Sequence, residues 1–431
     1  MVPSNAAVAA LRSFASITVL LFSTCQSPLS SHLFLPRKIL FLCPQPLWPI
    51  NTGARLRNFH LANSLGADCQ VTILQITHPG EDPAPPGPST FYQVLSAERG
   101  KSYTPMKLIR GLAGPTPVTV LNYTHNDVAE LLLRTLNGDS FDVLQMESIH
   151  LFHYLETIKQ AKKPPAVVLD WHNIESELMQ RYAESTTHVA KRFIAARTAR
   201  LLQRLEGKAM HSFAAHTVVS ERDRDRLLSR DRQVKIHVIP NGVDTAAFQN
   251  ETAAASTGRQ TLLFVGSMDY HANSDAVLWF CREIWPQLAA EFPRADFKIV
   301  GRNPPASVQA LASARIIVTG TVEDVRPFYQ EAFAVLVPLR VGGGTRLKIL
   351  EAMAAGIPVI STRQGAEGLA AENGREILLA DTAEDMAESI RELLASPDLA
   401  LRLRTAARSL VMKQYDWAVL GRQLAAVYET L

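Results

Sequence analysis

The chain has 431 residues, 47% apolar and 20% charged, which excludes wholesale disorder. At about 150 residues per domain, that length suggests two or three domains. Lysine plus arginine (44) barely exceeds aspartate plus glutamate (41), so the net charge is only +3, which excludes the large basic surplus of a general nucleic-acid binder.

Residues 6–25, AAVAALRSFASITVLLFSTC, open the chain with small and apolar residues around the single charge of Arg12. Ser13, Ser16 and Thr18 dilute the run, and a spanning helix needs about 20 apolar residues. A secretory signal, a membrane-surface anchor and a non-native extension all fit it. The rest of the chain reads as a cytosolic enzyme, so residues 1–36 are expected to be a non-core tail or weak anchor. Cys25, Cys43, Cys69 and Cys281 form no CxxC and lie at no metal-ligand spacing, which points to plain thiols in a reducing compartment.

From Lys38 onward strand and helix patterns alternate. Strands are expected at 38–43, 71–74, 142–146, 166–170, 215–220 and 235–239, and helices at 55–65 and 127–136. Residues 175–210 read as one helix or two, and the Pro/Gly-rich residues 78–88 as loop. Residues 249–258 are small, polar and aperiodic, and the inter-domain linker is placed there. A second series follows, with strands at 262–265, 297–300, 316–318, 334–337 and 359–360. Helices intervene at 272–290, 307–312, 325–332, 346–355 and 383–394, and two more, at 399–411 and 417–431, end the chain. The pattern predicts two doubly wound α/β domains, 37–245 and 246–415. Residues 416–431 form a last helix that packs back on the first domain. Ligands of such sheets bind at the carboxyl ends of strands, so a cleft between facing domains is the expected site.

The most informative stretch is Pro338-Leu-Arg-Val-Gly-Gly-Gly-Thr-Arg-Leu-Lys-Ile-Leu-Glu351. A buried strand ends, and Gly342, Gly343 and Gly344 allow a ligand close to the backbone. Thr345 is a suitable N-cap for a helix starting at Arg346. Arg346 and Lys348 then oppose the helix dipole by up to ~1 kcal/mol each. An anion bound to free N–H groups and both cations resolves the conflict, and a diphosphate fits. Glu351 falls beside the apolar face and needs a partner; ribose hydroxyls would serve.

This stretch resembles the donor-binding motif of glycosyltransferase family 4, the retaining GT-B enzymes that use nucleotide sugars. Pro240-Asn-Gly-Val-Asp244 is similar to the family's inter-domain signature, Leu263-Phe-Val-Gly-Ser267 and Ile299-Val-Gly301 to its second-domain strands, and Gly365-Ala-Glu-Gly368 to its following loop. The chain departs in two places. Gly343 stands where the first of two paired glutamates is usual, and Ser267 and Met268 replace the basic pair after Gly266.

The resemblance implies two Rossmann-like domains facing across a cleft. It also implies a retaining, metal-independent hexosyl transfer from a nucleotide sugar, in polysaccharide or cell-envelope glycan synthesis, with no cofactor. Arg346 and Lys348 would supply the phosphate charge, and Gly266 would line the donor site. The loop Pro49–Arg57 is similar to the family's N-terminal glycine loop, which nominates Gly53 and Arg57. It lacks GxGxxG, which disfavours a nicotinamide enzyme. Glu147 and His172 follow strands at their carboxyl ends and are the catalytic candidates of the first half.

Asp223-Arg-Asp225 matches DxD, but it lies in a charged helical run and reads as a solvated face, so no metal is expected. The basic cluster Lys191–Arg204 faces water or acidic lipid headgroups. The expected partners are therefore a nucleotide-sugar donor and a glycan or lipid-linked acceptor, in the cytoplasm or at the inner face of the plasma membrane. A GT-B epimerase and a non-catalytic donor-binding subunit are the rival readings.

Overall fold

The computed structural model describes residues 36–66, 69–78, 80–81, 90–249, 260–342 and 346–431. The tail 1–35, most of the linker 249–258, and Gly343, Gly344 and Thr345 lie outside the described residues.

Seven strands form the first sheet: β1 (Arg37–Cys43), β2 (Cys69–Thr77), β3 (Gln93–Glu98), β4 (Val143–Met146), β5 (Ala166–Trp171), β6 (Ala215–Val218) and β7 (Ile236–Val238). Their order is β3-β2-β1-β4-β5-β6-β7, and every pairing is parallel. Six more strands form the second sheet: β8 (Gln260–Val265), β9 (Ala295–Val300), β10 (Ile316–Gly320), β11 (Ala334–Val337), β12 (Val359–Ser361) and β13 (Leu378–Leu379). Their order is β10-β9-β8-β11-β12-β13, again all parallel. The central strands β1 and β8 are continuous apolar runs because helices cover both their faces. In each sheet the order reverses beside the first strand, at β1/β4 and β8/β11, which opens a crevice at the carboxyl ends.

Helix α1 (Gly53–Ser64) follows β1, with Thr52 Oγ1 accepting from the N–H of Arg55. Helix α2 (Pro105–Ala113) follows β3. The stretch 175–210 divides into α3 (Glu175–Ser185) and α4 (Val189–Ala209), broken at Thr186-Thr187-His188. Helix α5 (Glu221–Arg230) carries the DxD-like run; Asp223 bonds its own cap, Ser220, and Asp225 pairs with Arg224. Helix α6 (Leu347–Ala354) follows β11, and α7 (Trp417–Glu429) ends the chain.

Helix α7 packs on α1, not on the second sheet. Trp417, Leu420, Leu424 and Tyr428 join the core of β1, β2 and α1, and Tyr428 Oη donates to Gln145 of β4 at 3.1 Å. Where the chain leaves the first lobe and where it returns, it pairs with itself: Val243 N–H donates to Tyr415 O (2.8 Å) and Trp417 N–H to Val243 O (3.3 Å).

Strands β3 and β13 and helix α2 were not expected. Strand β3 (QVLSAE) is a half-exposed edge without clean alternation, and β13 is two residues long. The expected helix 272–290 is interrupted by a π-turn at Phe280–Ile284.

Candidate functional site

The carboxyl ends of β4 and β5 place Glu147 and His172 side by side. His172 Nε2 lies 3.0 Å from Glu147 Oε2 and 3.2 Å from Asp170 Oδ2. Asp170 is also gripped by Arg57, through Nε at 2.7 Å and Nη2 at 2.9 Å, and by Thr217 Oγ1 at 2.5 Å. The Asn58 amide nitrogen, turned toward Glu147, stands 2.9 Å from Oε2. Glu147, Asp170 and Arg57 are buried, and His172 shows 16% of its side chain to solvent.

Burial opposes charge on this imidazole, but hydrogen bonds and the charges of Asp170 and Glu147 outweigh it and carry His172 up to about 9. Burial also opposes charge on Asp170, yet Arg57 and His172 hold it well below the ordinary range. Glu147 is pushed upward by burial and by Asp170. Two cations thus balance two carboxylates. Glu147, Asp170 and His172 bring ligand atoms within 4.8 Å of one another, the donor set among the described residues that could hold a metal ion. A cation there would compete with the proton that His172 shares with both acids.

Arg57 is corrected by this arrangement. It is 1% exposed, and its remaining donor bonds Pro240 O (3.1 Å) and Asn241 Oδ1 (3.3 Å). It braces Asp170 against the segment leaving the lobe, with four of its five N–H groups engaged there.

In the second lobe, Gly342 adopts φ +107°, and a Cβ there would come within 2.5 Å of Tyr270 Oη, so the loop requires glycine. Helix α6 starts at Leu347, one residue later than expected, with Arg346 at the N-cap and no side-chain capping bond. Arg346 is buried; Nη2 donates to Gln364 O (2.7 Å) and lies 3.5 Å from Glu367 Oε2, while Nε has no partner. Burial lowers the pKa of this guanidinium.

Lys348 points elsewhere. Its Nζ donates to Asn273 Oδ1 at 2.8 Å and stands 4.2 Å from the centre of the Phe264 ring. A Cβ on Gly266 would lie 2.8 Å from that nitrogen, so glycine at the end of β8 makes room for it. Burial brings Lys348 down to about 7. In this structure the two cations hold different partners, and the charge of Arg346 also helps to lower Lys348. Glu351 accepts from Tyr329 Oη at 2.7 Å, and burial raises its pKa. Tyr329 thus supplies one partner for the carboxylate that the helical wheel sets beside the apolar face.

The two lobes meet around one cavity lined by His172 and Asn241 on one side and by Arg346, Leu350 and Glu367 on the other. Gly53 faces the same meeting line: a Cβ there would sit 3.9 Å from Leu347 Cδ1, an ordinary contact that does not itself demand glycine. Glu367 forms an ion pair with Arg222 of α5, tying the lobes together. The structure therefore gathers Gly53, His172 and Arg346 at the cleft, sets Glu147 and Arg57 behind His172, and places Lys348 beside Gly266. Sequence reasoning missed Asp170, Asn273, Tyr329, Arg222 and Glu367. Asp170 had a signal, a carboxylate ending a buried strand. Glu367 lay in the family-like loop Gly365–Gly368; Asn273, Tyr329 and Arg222 had no signal, because their partners lie 22 to 145 positions away.

A family model described as "Glycosyltransferase Family 4" matches residues 52–247, and one described as "Glycosyl transferases group 1" matches residues 259–396. The chain belongs to the family 4, group 1 glycosyltransferases. The phosphatidyl-myo-inositol mannosyltransferase of Mycolicibacterium smegmatis is 31% identical over 203 residues, covering 45% of this chain and 51% of that protein. The glycogen synthase of Mycobacterium tuberculosis is 26% identical over 205 residues, covering 45% and 48%. The chain thus spans about half the length of the curated relatives it matches.

Solved structures extend the likeness over the whole fold. Sucrose-phosphate synthase of Thermosynechococcus elongatus superposes with a TM-score of 0.67 at 16% identity, covering 91% of this chain and 98% of that one. Anabaena HepE, solved with UDP and glucose, gives 0.61 at 15% identity, covering 92% and 100%. This family 4 glycosyltransferase therefore has the GT-B fold.

Proposed function

We propose that this chain transfers a sugar from a nucleotide-sugar donor to an acceptor hydroxyl, with retention at the anomeric carbon, in cell-envelope glycolipid or polysaccharide synthesis. The observation that carries this reading is the cleft itself, where buried Arg346 at the start of α6 faces His172 at the end of β5 across one cavity. The nucleotide diphosphate rests on the glycine loop and the N-terminus of α6. Arg346 exchanges its weak contacts with Gln364 O and Glu367 for phosphoryl oxygens. Lys348, held by Asn273 on the β8 side, adds positive charge for the same diphosphate.

The acceptor enters from the first lobe. His172, held by Glu147 and Asp170, supplies fixed positive charge near the breaking bond, and Arg346 stabilises the leaving diphosphate. Preorganised donors of this kind serve a developing anion without a metal.

The enzyme works on the cytoplasmic side, at the membrane surface. Among the described residues, no helix is long and apolar enough to cross a membrane. Helix α2 nevertheless turns its apolar face outward: Met106 and Ile109 are each 59% exposed, and Leu112 is exposed beside them, with Lys101 and Arg110 nearby. Val189 and Phe193 at the start of α4 are exposed in the same way. Apolar side chains collared by cations suit an anionic lipid surface.

The test is a thermal-shift screen of UDP-, GDP-, ADP- and TDP-sugars, followed by acceptor-dependent nucleotide release and NMR of the product anomer. Stabilisation by one nucleotide sugar, with an α-linked product from an α-linked donor, is expected. No stabilisation by any of them, or inversion, overturns the reading.

A further inference from the structure

A second cavity, of roughly 500 Å3, opens between α3, α4 and α5 and runs into the cleft, sharing Glu177, Arg181, Arg222 and Arg226 with it. Five arginines line it: Arg181, Arg200, Arg222, Arg226 and Arg230. Three have carboxylate partners. Arg226 pairs with Glu177, Arg230 with Glu206 (2.7 Å), and Arg222 with Glu367. Arg181 and Arg200 are exposed, and among the described residues neither forms an ion pair. Five guanidiniums therefore face three carboxylates, and the two in excess sit on facing helices.

We propose that this groove is a subsite for an anionic group of the acceptor, a phosphate or carboxylate. Guanidinium groups match both in geometry, offering two parallel N–H donors to two oxygens. Position selects the acceptor over the donor. The groove belongs wholly to the first lobe, whereas Arg346 and the glycine loop belong to the second. Its place on α4 adds a direction. Arg200 is seven residues beyond exposed Phe193, hence on the same face and about 10 Å further along the helix. Phe193, the arginine groove and the cleft thus follow one another. An acceptor with an anionic linker between a membrane-bound end and a sugar end would lie along that line. This inference rests on the transferase reading given above and narrows its acceptor to an acidic class.

The experiment is calorimetric titration of inorganic pyrophosphate and of glucuronate into the full chain carrying Arg346→Ala, which disables the donor phosphate contact. The same titrations are run on that chain with Arg181→Ala and Arg200→Ala added, and with Arg181→Lys and Arg200→Lys instead. The expected result is binding of at least one anion by the single variant, loss of at least tenfold on adding the alanines, and partial recovery with the lysines. Tighter pyrophosphate supports a phosphate-bearing acceptor, and tighter glucuronate an acidic sugar. No binding of either anion, or binding indifferent to Arg181 and Arg200, overturns the proposal. UDP and GDP titrated into the unaltered chain report on the donor site alone, so a failed groove and a failed donor site give different results. Both arginines are exposed, and unchanged melting of the variants checks folding.

Discussion

The two lobes hold their buried charges differently. In the first, Arg57, Asp170, His172 and Glu147 form a charge-balanced set in which each cation has a carboxylate within 3.2 Å, with Glu147 Oε1 left without a hydrogen-bond partner. In the second, Arg346 and Lys348 are desolvated against weaker partners: a carbonyl, a carboxylate at 3.5 Å and an amide oxygen. A charge-balanced set fixes geometry; a poorly compensated cation waits for an anion. The first lobe is built to hold a group still and the second to receive one.

Removing one member from each set tests that contrast most severely. Asp170→Ala leaves Arg57 buried without its carboxylate and should cost about 3–5 kcal/mol, read as a large fall in the denaturation midpoint. Arg346→Ala should leave that midpoint nearly unchanged while lowering transfer by about 10²–10³-fold, the usual cost of one fixed donor to a developing anion. The reverse pattern would break the comparison.

The pH dependence sharpens it. Lys348 titrates near 7 in the free protein, and a bound diphosphate favours its charged form. Donor affinity should fall by up to tenfold per pH unit above about 7, flattened in Lys348→Met. For stability the two lobes run in opposite directions. His172 is raised to about 9, so its contribution is complete below its ordinary value near 6.5 and is lost as pH climbs through 9. Lys348 is lowered, so between about 7 and 10.5 the unfolded chain binds more protons and the native state gains. Denaturation midpoints of His172→Asn and Lys348→Met across pH 6–10 should each remove one trend. The smallest effect is expected from Thr217→Val, which deletes one hydrogen bond to a carboxylate already held twice by Arg57 and should cost about 1 kcal/mol.

The parallel sheets were legible because buried strands such as Ile39–Cys43 and Leu262–Val265 are unbroken apolar runs between helical patterns. Gly342 and Gly266 were legible because each answers a local demand of the backbone or a neighbouring side chain. Arg57 misled because its place in a helix-opening loop says nothing of Asp170, 113 positions away. Helix α2 escaped notice because its apolar face has no core to meet.

The self-pairing of the chain at Val243 and Trp417 has a mechanical consequence. Two adjacent backbone crossings act like the paired knuckles of a door hinge: they permit swinging about one axis and resist twist and sliding. Cutting the chain before Asp416 would remove one knuckle and also strip α7 from the apolar groove it fills beside α1. The terminal segment thus anchors the swing to a lobe whose own sequence ended more than 170 residues earlier.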